Sequence, residues 1–213
     1  MLLKSRFKTL LKYSAVSAII LPALSMANLA HAKIETGTNV SDMTVIDSNG
    51  VSHNLSDFAG KTVILEWTNH DCPYVKKHYK TQNMQNLQED ATEIGAVWLS
   101  IISSAPGTQG HVSGKLANDL TTKRGASPTA VILDPEGTVG QTFSAKTTPH
   151  MYVINADQTL VYQGAIDDKP SARHNTVKGA TNYVRAALED MAAGRPVQKA
   201  ESTPYGCSVK YKS

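Results

Sequence analysis

Apolar and polar positions along the chain follow two different periods, and together they predict an α/β fold. Mostly apolar runs over residues 62–67, 96–102 and 130–133 are typical of strands that are buried on both faces of a sheet. Between these runs, apolar residues recur at helical spacing over 73–94 and 113–124. Strands that alternate with helices in this way predict a sheet with a parallel centre and helices packed against it.

Two hairpins are predicted to flank this centre. The Asn-Gly pair at 49–50 is a turn signal between two short strand-like segments, and it predicts a β-hairpin over 43–55. A second hairpin is predicted over 151–164, and a final helix over 177–193. The complete prediction is a central mixed β-sheet flanked by helices, with an N-terminal β-hairpin.

The first 32 residues have the pattern of a secretory signal peptide. Four basic residues precede an apolar run over 13–24, and Ala30-His31-Ala32 follows as a cleavage site. Pro22 breaks the apolar run, which is also short for a membrane span of about 20 residues. We therefore expect cleavage after Ala32, no stable membrane insertion afterwards, and a mature protein in the periplasm or outside the cell.

Removing this leader changes the charge of the chain. The full sequence has a net charge of +3, whereas the mature chain has 17 Lys plus Arg against 18 Asp plus Glu, a net charge of −1. The mature protein therefore offers no general basic surface for nucleic acid. It is predicted to consist of a short segment (33–39), one domain (40–193) and a polar tail (194–213) that carries Cys207.

Cys72 is the strongest candidate for chemistry. It follows the first buried strand and precedes Pro73, a residue that is favoured at the first position of a helix. The free N–H groups of a helix N-terminus favour the thiolate, which is the reactive form of cysteine. The lysines at 76 and 77, predicted to face outward, also favour the thiolate, whereas Asp71 opposes it.

The two cysteines leave three interpretations open. Disulfides form and persist in an exported protein, so Cys72 and Cys207 can be a redox pair or a structural disulfide that closes a long loop. With His150, they can also be ligands of copper or zinc. The chain has no Cys-x-x-Cys or His-x-x-x-His pair that would favour the metal.

Three segments together resemble a known family. The strand-Cys-Pro-helix pattern of 63–77, the Thr148-Pro149 pair, and the closing hairpin and helix resemble the thioredoxin-like superfamily. Within it, residues 40–193 are similar to the redoxin branch, which includes the alkyl hydroperoxide reductase and thiol-specific antioxidant proteins. The resemblance implies that the Thr148-Pro149 bond is cis and that residues 148–150 face Cys72.

The chain also departs from the best-known members. Val75 stands where thioredoxins have their second cysteine, so a local dithiol cycle is excluded. Leu65 and Asn69 stand where typical peroxiredoxins have the proline and threonine of the peroxide site. The sequences around Cys72 and Cys207 most resemble an exported, peroxiredoxin-like group of redoxins.

The resemblance implies a thiol oxidoreductase. Cys72 would attack a peroxide or disulfide substrate, and Cys207, on a mobile tail, would resolve the product. An external thiol reductant would recycle the enzyme, and no bound cofactor is implied.

Several other residues are predicted to support the two cysteines. Asn69, His70 and His150 can donate hydrogen bonds to the leaving oxygen or sulfur, and Trp67 either walls the cysteine pocket or belongs to the core. The remaining histidines, His78 among them, are expected at the surface or in loops. The full supporting set is Trp67, Asn69, His70, Pro73, Thr148, Pro149 and His150.

Overall fold

The computed structural model describes residues 34–212, so the predicted signal peptide and its cleavage site lie outside the described residues. The strands are β1 (Thr44–Ile46), β2 (Ser52–Asn54), β3 (Val63–Trp67), β4 (Val97–Ile102), β5 (Ala130–Leu133), β6 (Thr147–Thr148), β7 (His150–Ile154), β8 (Leu160–Gly164) and β9 (Cys207–Ser208). The α-helices are α1 (Pro73–Lys80), α2 (Asn83–Glu93), α3 (Gly114–Lys123), α4 (Thr138–Thr142) and α5 (Tyr183–Ala192). Leu55–Phe58 and His174–Thr176 form 3-10 helices.

Five strands form the central sheet in the order β5-β4-β3-β7-β8. The strand β3 is parallel to β4 and antiparallel to β7, so the sheet is mixed. The strands β1 and β2 form a separate antiparallel hairpin. This arrangement confirms the predicted mixed α/β sheet, including its N-terminal hairpin.

The core lies on both faces of this sheet. One face carries Ile64, Trp98 and Met151, and it packs against α1, α2 and α5. The other carries Leu65 and Tyr152, among others, and it packs against the N-terminal hairpin and the α4 region. Because successive strand residues point to opposite faces, these mostly apolar runs place apolar side chains in the cores on both faces of the sheet.

The strand β3 also buries one carboxylate. Glu66 is completely buried on the face that packs against α1 and α2. Its oxygens accept hydrogen bonds from four side chains, those of Tyr79, Gln88, Trp98 and Ser100, at 2.9–3.3 Å. These donors satisfy the carboxylate and connect α1 and α2 to the sheet.

The helical pattern over 73–94, whose spacing falters near 81–83, divides into α1 and α2 at Gln82, which has a left-handed backbone with φ of 61°. The last helix differs from its predicted bounds. The predicted helix over 177–193 begins only at Tyr183, since the side chain of Asn182 accepts the N–H of Arg185 at 3.0 Å and caps the helix there. The apolar residues before Asn182 extended the periodic pattern beyond the helix.

The C-terminal segment, predicted to be irregular, is paired with the domain along much of its length. The N–H of Gln163 in β8 donates to Ala200 O at 3.0 Å, and the N–H of Ser202 donates to Gln163 O at 3.1 Å. Farther along, β9 pairs with β6. This pairing places Cys207 opposite Thr148. No helix within residues 34–212 is long and apolar enough to cross a membrane.

Candidate active site

Cys72 lies at the junction between β3 and α1. It is the N-cap residue of α1, and Pro73 occupies the first helical position, as its fixed backbone angle favours. The Cys72 side chain is completely buried, and its thiol donates to the carbonyl oxygen of Thr148 at 3.1 Å. The active-site loop therefore contacts a strand that is 76 residues away in sequence.

The contact with Thr148 lies next to a cis proline. The Thr148-Pro149 peptide bond is cis, as the family resemblance implies. Thr148 is buried, and its hydroxyl has no partner other than the Cys72 sulfur among the groups of residues 34–212. It is therefore available to donate to that sulfur.

Cys207 lies directly across the strand pair from Thr148. The strands β6 and β9 are antiparallel, with Thr148 opposite Cys207 and Thr147 opposite Ser208. Both cysteines are free thiols, and their side chains lie close enough for each to shift the pKa of the other. The structure therefore brings together the two residues that the sequence placed 135 positions apart.

The surroundings of Cys72 favour its thiolate. Burial raises the pKa of the Cys72 thiol. Hydrogen bonds from Cys207, from Thr148 and from the backbone N–H of Val75 lower this pKa by more than burial raises it, so the net shift is downward. Val75 is the third residue of α1, so its N–H is one of the free donors of the helix N-terminus. Cys72 is the thiol of the pair that ionises first.

The pKa of Cys207 shifts in the opposite direction. Burial, the hydrogen bond with Cys72 and the charge of Cys72 together raise its pKa to about 12. When Cys72 is ionised, Cys207 is therefore the proton donor and the Cys72 sulfur the acceptor. Two of these three causes depend on Cys72, so oxidation of Cys72 would remove them and lower the pKa of Cys207.

Asn69 and His70 precede Cys72, but their side chains are engaged within the loops. Asn69 Oδ1 accepts the N–H of Asp71 at 2.9 Å, and its Nδ2 donates to Gln109 O at 3.2 Å. His70 Nε2 lies 3.3 Å from the Asp71 carboxylate, while its Nδ1 is buried without a hydrogen-bond partner in the described chain. Asn69 thus ties a neighbouring loop to the cysteine loop.

Trp67 and His150 lie away from the cysteines. They are opposite each other on β3 and β7, and both rings contact Tyr152 on the sheet face that is opposite the cluster of Cys72. The N–H of Lys146 donates to His150 Nδ1 at 3.2 Å, and burial lowers the pKa of His150 to about 3. His150 is therefore neutral and does not face Cys72, contrary to the expectation from the resemblance.

The structure also tests the metal interpretation. Within residues 34–212, no three His, Cys, Asp or Glu side chains are grouped so that they could hold a metal ion.

One group of residues near the cysteines was missed by the sequence analysis. Lys77, His78 and Asp167 are almost completely buried, and they surround the hydroxyl of Tyr205 in the C-terminal segment. The expectations that Lys77 faces outward and that His78 lies at the surface are both wrong. His78 follows Val75 by three positions, so helical spacing could have placed it inside, whereas Lys77 is buried by segments that are distant in sequence.

Comparison with known proteins gives the family. The family model described as Redoxin matches residues 35–183. The chain belongs to the Redoxin family. No curated protein matches this redoxin significantly.

Solved structures show the fold of this redoxin in other proteins. A hypothetical protein from Sinorhizobium meliloti 1021 is 21% identical, with a TM-score of 0.72, and the match covers 85% of this chain and 97% of that one. An uncharacterized conserved protein from Geobacillus kaustophilus is 24% identical, with a TM-score of 0.73 and coverage of 85% and 94%. A putative protein disulfide isomerase from Bacteroides thetaiotaomicron is 14% identical, with a TM-score of 0.53 and coverage of 78% and 92%.

Family and fold together make this protein a thioredoxin-like redoxin, and they support a thiol redox function. At these identities the solved structures indicate the fold alone.

Proposed function

We propose that this redoxin is an exported thiol oxidoreductase in which Cys72 is the nucleophile and Cys207 the resolving cysteine. The observation that carries the proposal is the proximity of the two thiols, which the pairing of β6 with β9 holds in place. The lowered pKa of Cys72 and the raised pKa of Cys207 support this assignment of the roles.

The first step is an attack by the Cys72 thiolate. With a hydroperoxide, the sulfur takes the terminal oxygen as a sulfenic acid, and the other oxygen leaves as an alcohol or water after it has been protonated. With a disulfide, the sulfur forms a mixed disulfide and expels one thiolate. In either case the Cys207 thiol lies next to the reacting sulfur as a proton donor.

The second step uses Cys207 as the nucleophile. Cys207 loses its proton, attacks the oxidised sulfur of Cys72 and forms the Cys72-Cys207 disulfide, which releases water or the second thiol of the substrate. Oxidation of Cys72 removes the charge that raises the pKa of Cys207, so Cys207 ionises more easily at the moment when it must react. An external dithiol then reduces the disulfide.

Access to Cys72 favours a small oxidant. The sulfur is completely buried in the described conformation, with Cys207 and β9 beside it. A hydroperoxide needs less space to reach this sulfur than a protein disulfide, which would require β9 to move.

A peroxide reaction tests the proposal. Reduced protein and the Cys207→Ser variant are each treated with hydrogen peroxide and, separately, with glutathione disulfide, and the products are identified by mass after trapping. We expect the wild-type protein to form the Cys72-Cys207 disulfide and the variant to accumulate a sulfenic acid or a mixed disulfide at Cys72. A Cys72 that reacts with neither oxidant in either protein would contradict the proposal.

Export is the second part of the proposal. It rests on the basic and apolar pattern of residues 1–32 and on the Ala30-His31-Ala32 sequence. The intact mass of the protein recovered from the periplasm or medium of an expressing bacterium should correspond to a chain that begins at Lys33. Full-length protein retained in the cytoplasm would contradict it.

A further inference from the structure

A buried charged cluster lies beside the two cysteines and takes no part in the chemistry described so far. Lys77 and His78 of α1 have no exposed surface, and Asp167 is 2% exposed. Lys77 Nζ lies 3.6 Å from Asp167 Oδ2 and donates to Lys169 O at 3.1 Å. Because burying charged groups costs several kcal/mol unless they are paired and hydrogen-bonded, such a cluster needs all its partners.

The hydroxyl of Tyr205 is the common partner of this cluster. It donates to Asp167 Oδ1 and accepts a hydrogen bond from Lys77 Nζ at 3.1 Å. His78 Nδ1 accepts from the side chain of Asn83 at 2.8 Å, so the proton of the neutral ring is on Nε2, which lies 3.4 Å from the tyrosine oxygen. One hydroxyl from the C-terminal segment thus contacts three buried side chains of the domain.

The buried carboxylate of Asp167 would lose a hydrogen bond if Tyr205 left the cluster. Asp167 Oδ2 is buried and has no hydrogen bond, since Lys77 Nζ and His78 Nε2 lie 3.6 and 4.0 Å away. Oδ1 is bonded to Tyr205 and to the N–H of Lys169. Removing the tyrosine therefore weakens the solvation of a carboxylate that is already incompletely satisfied.

Tyr205 is also close to Cys207 along the chain. Only Gly206 separates them, and this glycine passes so close to Thr148 that an added Cβ would lie 2.0 Å from the Thr148 carbonyl oxygen. The Tyr205 ring packs against Tyr74 of α1, with ring centres 5.8 Å apart. Docking of Tyr205 therefore sets the position of Cys207.

We propose that Tyr205 is a positioning residue, a latch that holds Cys207 against Cys72 and closes access to the Cys72 sulfur. When the tyrosine is docked, the paired strand covers Cys72, and only a small oxidant can reach it. When the tyrosine leaves the cluster, Cys72 becomes accessible to a larger disulfide. The role of Cys207 in this proposal rests on the proposed function, whereas the control of access does not.

Alkylation of Cys72 tests the control of access. In a Cys207→Ser background Cys72 is the only thiol, so its reaction with iodoacetamide and with a bulky polyethylene glycol maleimide can be followed by mass. Tyr205→Phe keeps the ring but removes the hydroxyl. Loss of a hydrogen bond to a charged partner should raise the rate with the bulky reagent by about tenfold or more.

Two further variants sharpen this test. Tyr183→Phe is the matched control, because the structure shows ring contacts but no hydrogen bond of its hydroxyl within residues 34–212, and it should leave the rate unchanged. Asp167→Asn removes charge from the cluster at constant shape and should act in the same direction as Tyr205→Phe. The pH midpoint of alkylation should stay the same in Tyr205→Phe, since faster reaction comes from access and not from ionisation.

The redox potential tests the positioning of Cys207. With both cysteines present, Tyr205→Phe lowers the effective concentration of Cys207 at Cys72, so the disulfide should form less favourably. A tenfold loss corresponds to a shift of about 30 mV towards less negative potential. A wild-type protein without a reversible disulfide contradicts the proposed function, whereas alkylation rates in Tyr205→Phe within twofold of the background contradict the latch itself.

Discussion

The close contact between Gly206 and Thr148 gives a sharp test of how precisely Cys207 must be placed. An alanine Cβ at 206 would lie 2.0 Å from the Thr148 oxygen and 2.7 Å from the Thr148 carbonyl carbon. Real Cβ contacts essentially never fall below 3.0 Å, so β9 must move by about 1 Å or more. The backbone at Gly206, with φ of +143°, is also one that L residues rarely adopt.

This displacement should act mainly on the second step of the reaction. A misplacement of about 1 Å between reacting groups can cost on the order of 100-fold in rate. We therefore expect Gly206→Ala to form the Cys72-Cys207 disulfide about 100-fold more slowly after oxidation. Attack of Cys72 on hydrogen peroxide should be slowed far less, because Cys72 loses only the donor on Cys207 and keeps the backbone N–H of Val75.

The assay separates the two steps by time. Reduced protein is mixed with excess hydrogen peroxide and quenched at intervals with a sulfenic acid trap and a thiol alkylator, and the products are counted by mass. Gly194→Ala is the matched control, since Gly194 lies near the same segment with φ of +67° and nothing within 4 Å of an added Cβ. Disulfide formation in Gly206→Ala at the rate of the control would refute the reasoning.

Three further predictions follow from the buried groups. The pH midpoint of active-site alkylation should be higher in Cys207→Ala than in Cys207→Ser, since only serine keeps a donor to the thiolate; equal midpoints would contradict the assigned hydrogen bond. His78 and His150 have folded pKa values of about 3. These values lie below the pKa of an unfolded histidine, near 6.5, so the unfolded chain binds more protons than the folded chain between pH 3 and 6.5. Acidification from pH 7 to 5 should therefore lower the free energy of unfolding by about 2 kcal/mol per histidine. Urea unfolding at both pH values should show a smaller loss in His150→Gln than in the wild type, and equal losses would be evidence against this. Glu66→Gln should cost about 2–3 kcal/mol by urea unfolding, since one amide oxygen cannot accept from all four donors of that carboxylate; a loss below about 1 kcal/mol would contradict this.

The parts of the fold that depend on local patterns were predictable from the sequence. The apolar runs at 62–67 and 96–102 contain β3 and β4, because strands that are buried on both faces need apolar residues at most positions. Cys72 was recognisable for the same reason, since it follows such a run and precedes the proline that begins a helix.

The alternation of side chains along a strand explains the positions of Trp67 and His150. The sequence left the position of Trp67 open, and the family resemblance implied a different position for His150. Trp67 comes five residues before Cys72 and His150 comes directly after Pro149, so both lie close to the site along the chain. Both nevertheless point to the opposite face of the sheet, and only the register of β3 with β7 reveals this.

The contacts of the C-terminal segment had no local signal. The sequence around Cys207 is polar and forms only a two-residue strand, so its pairing with β6 depends on contacts across about sixty residues. The burial of Lys77 depends on the same contacts, because Tyr205 and the segment around Asp167 cover it. Sequence patterns identify the candidate cysteine here, but not the residues that are brought to it from a distance.

The reversibility of the Cys72-Cys207 disulfide is the central claim, and a redox titration measures it directly. The protein is equilibrated at a series of glutathione or dithiothreitol potentials, the free thiols are alkylated, and the two states are counted by mass. A working redox couple should show a midpoint above about −250 mV. A disulfide that resists reduction to below roughly −300 mV would instead be structural and would contradict the account.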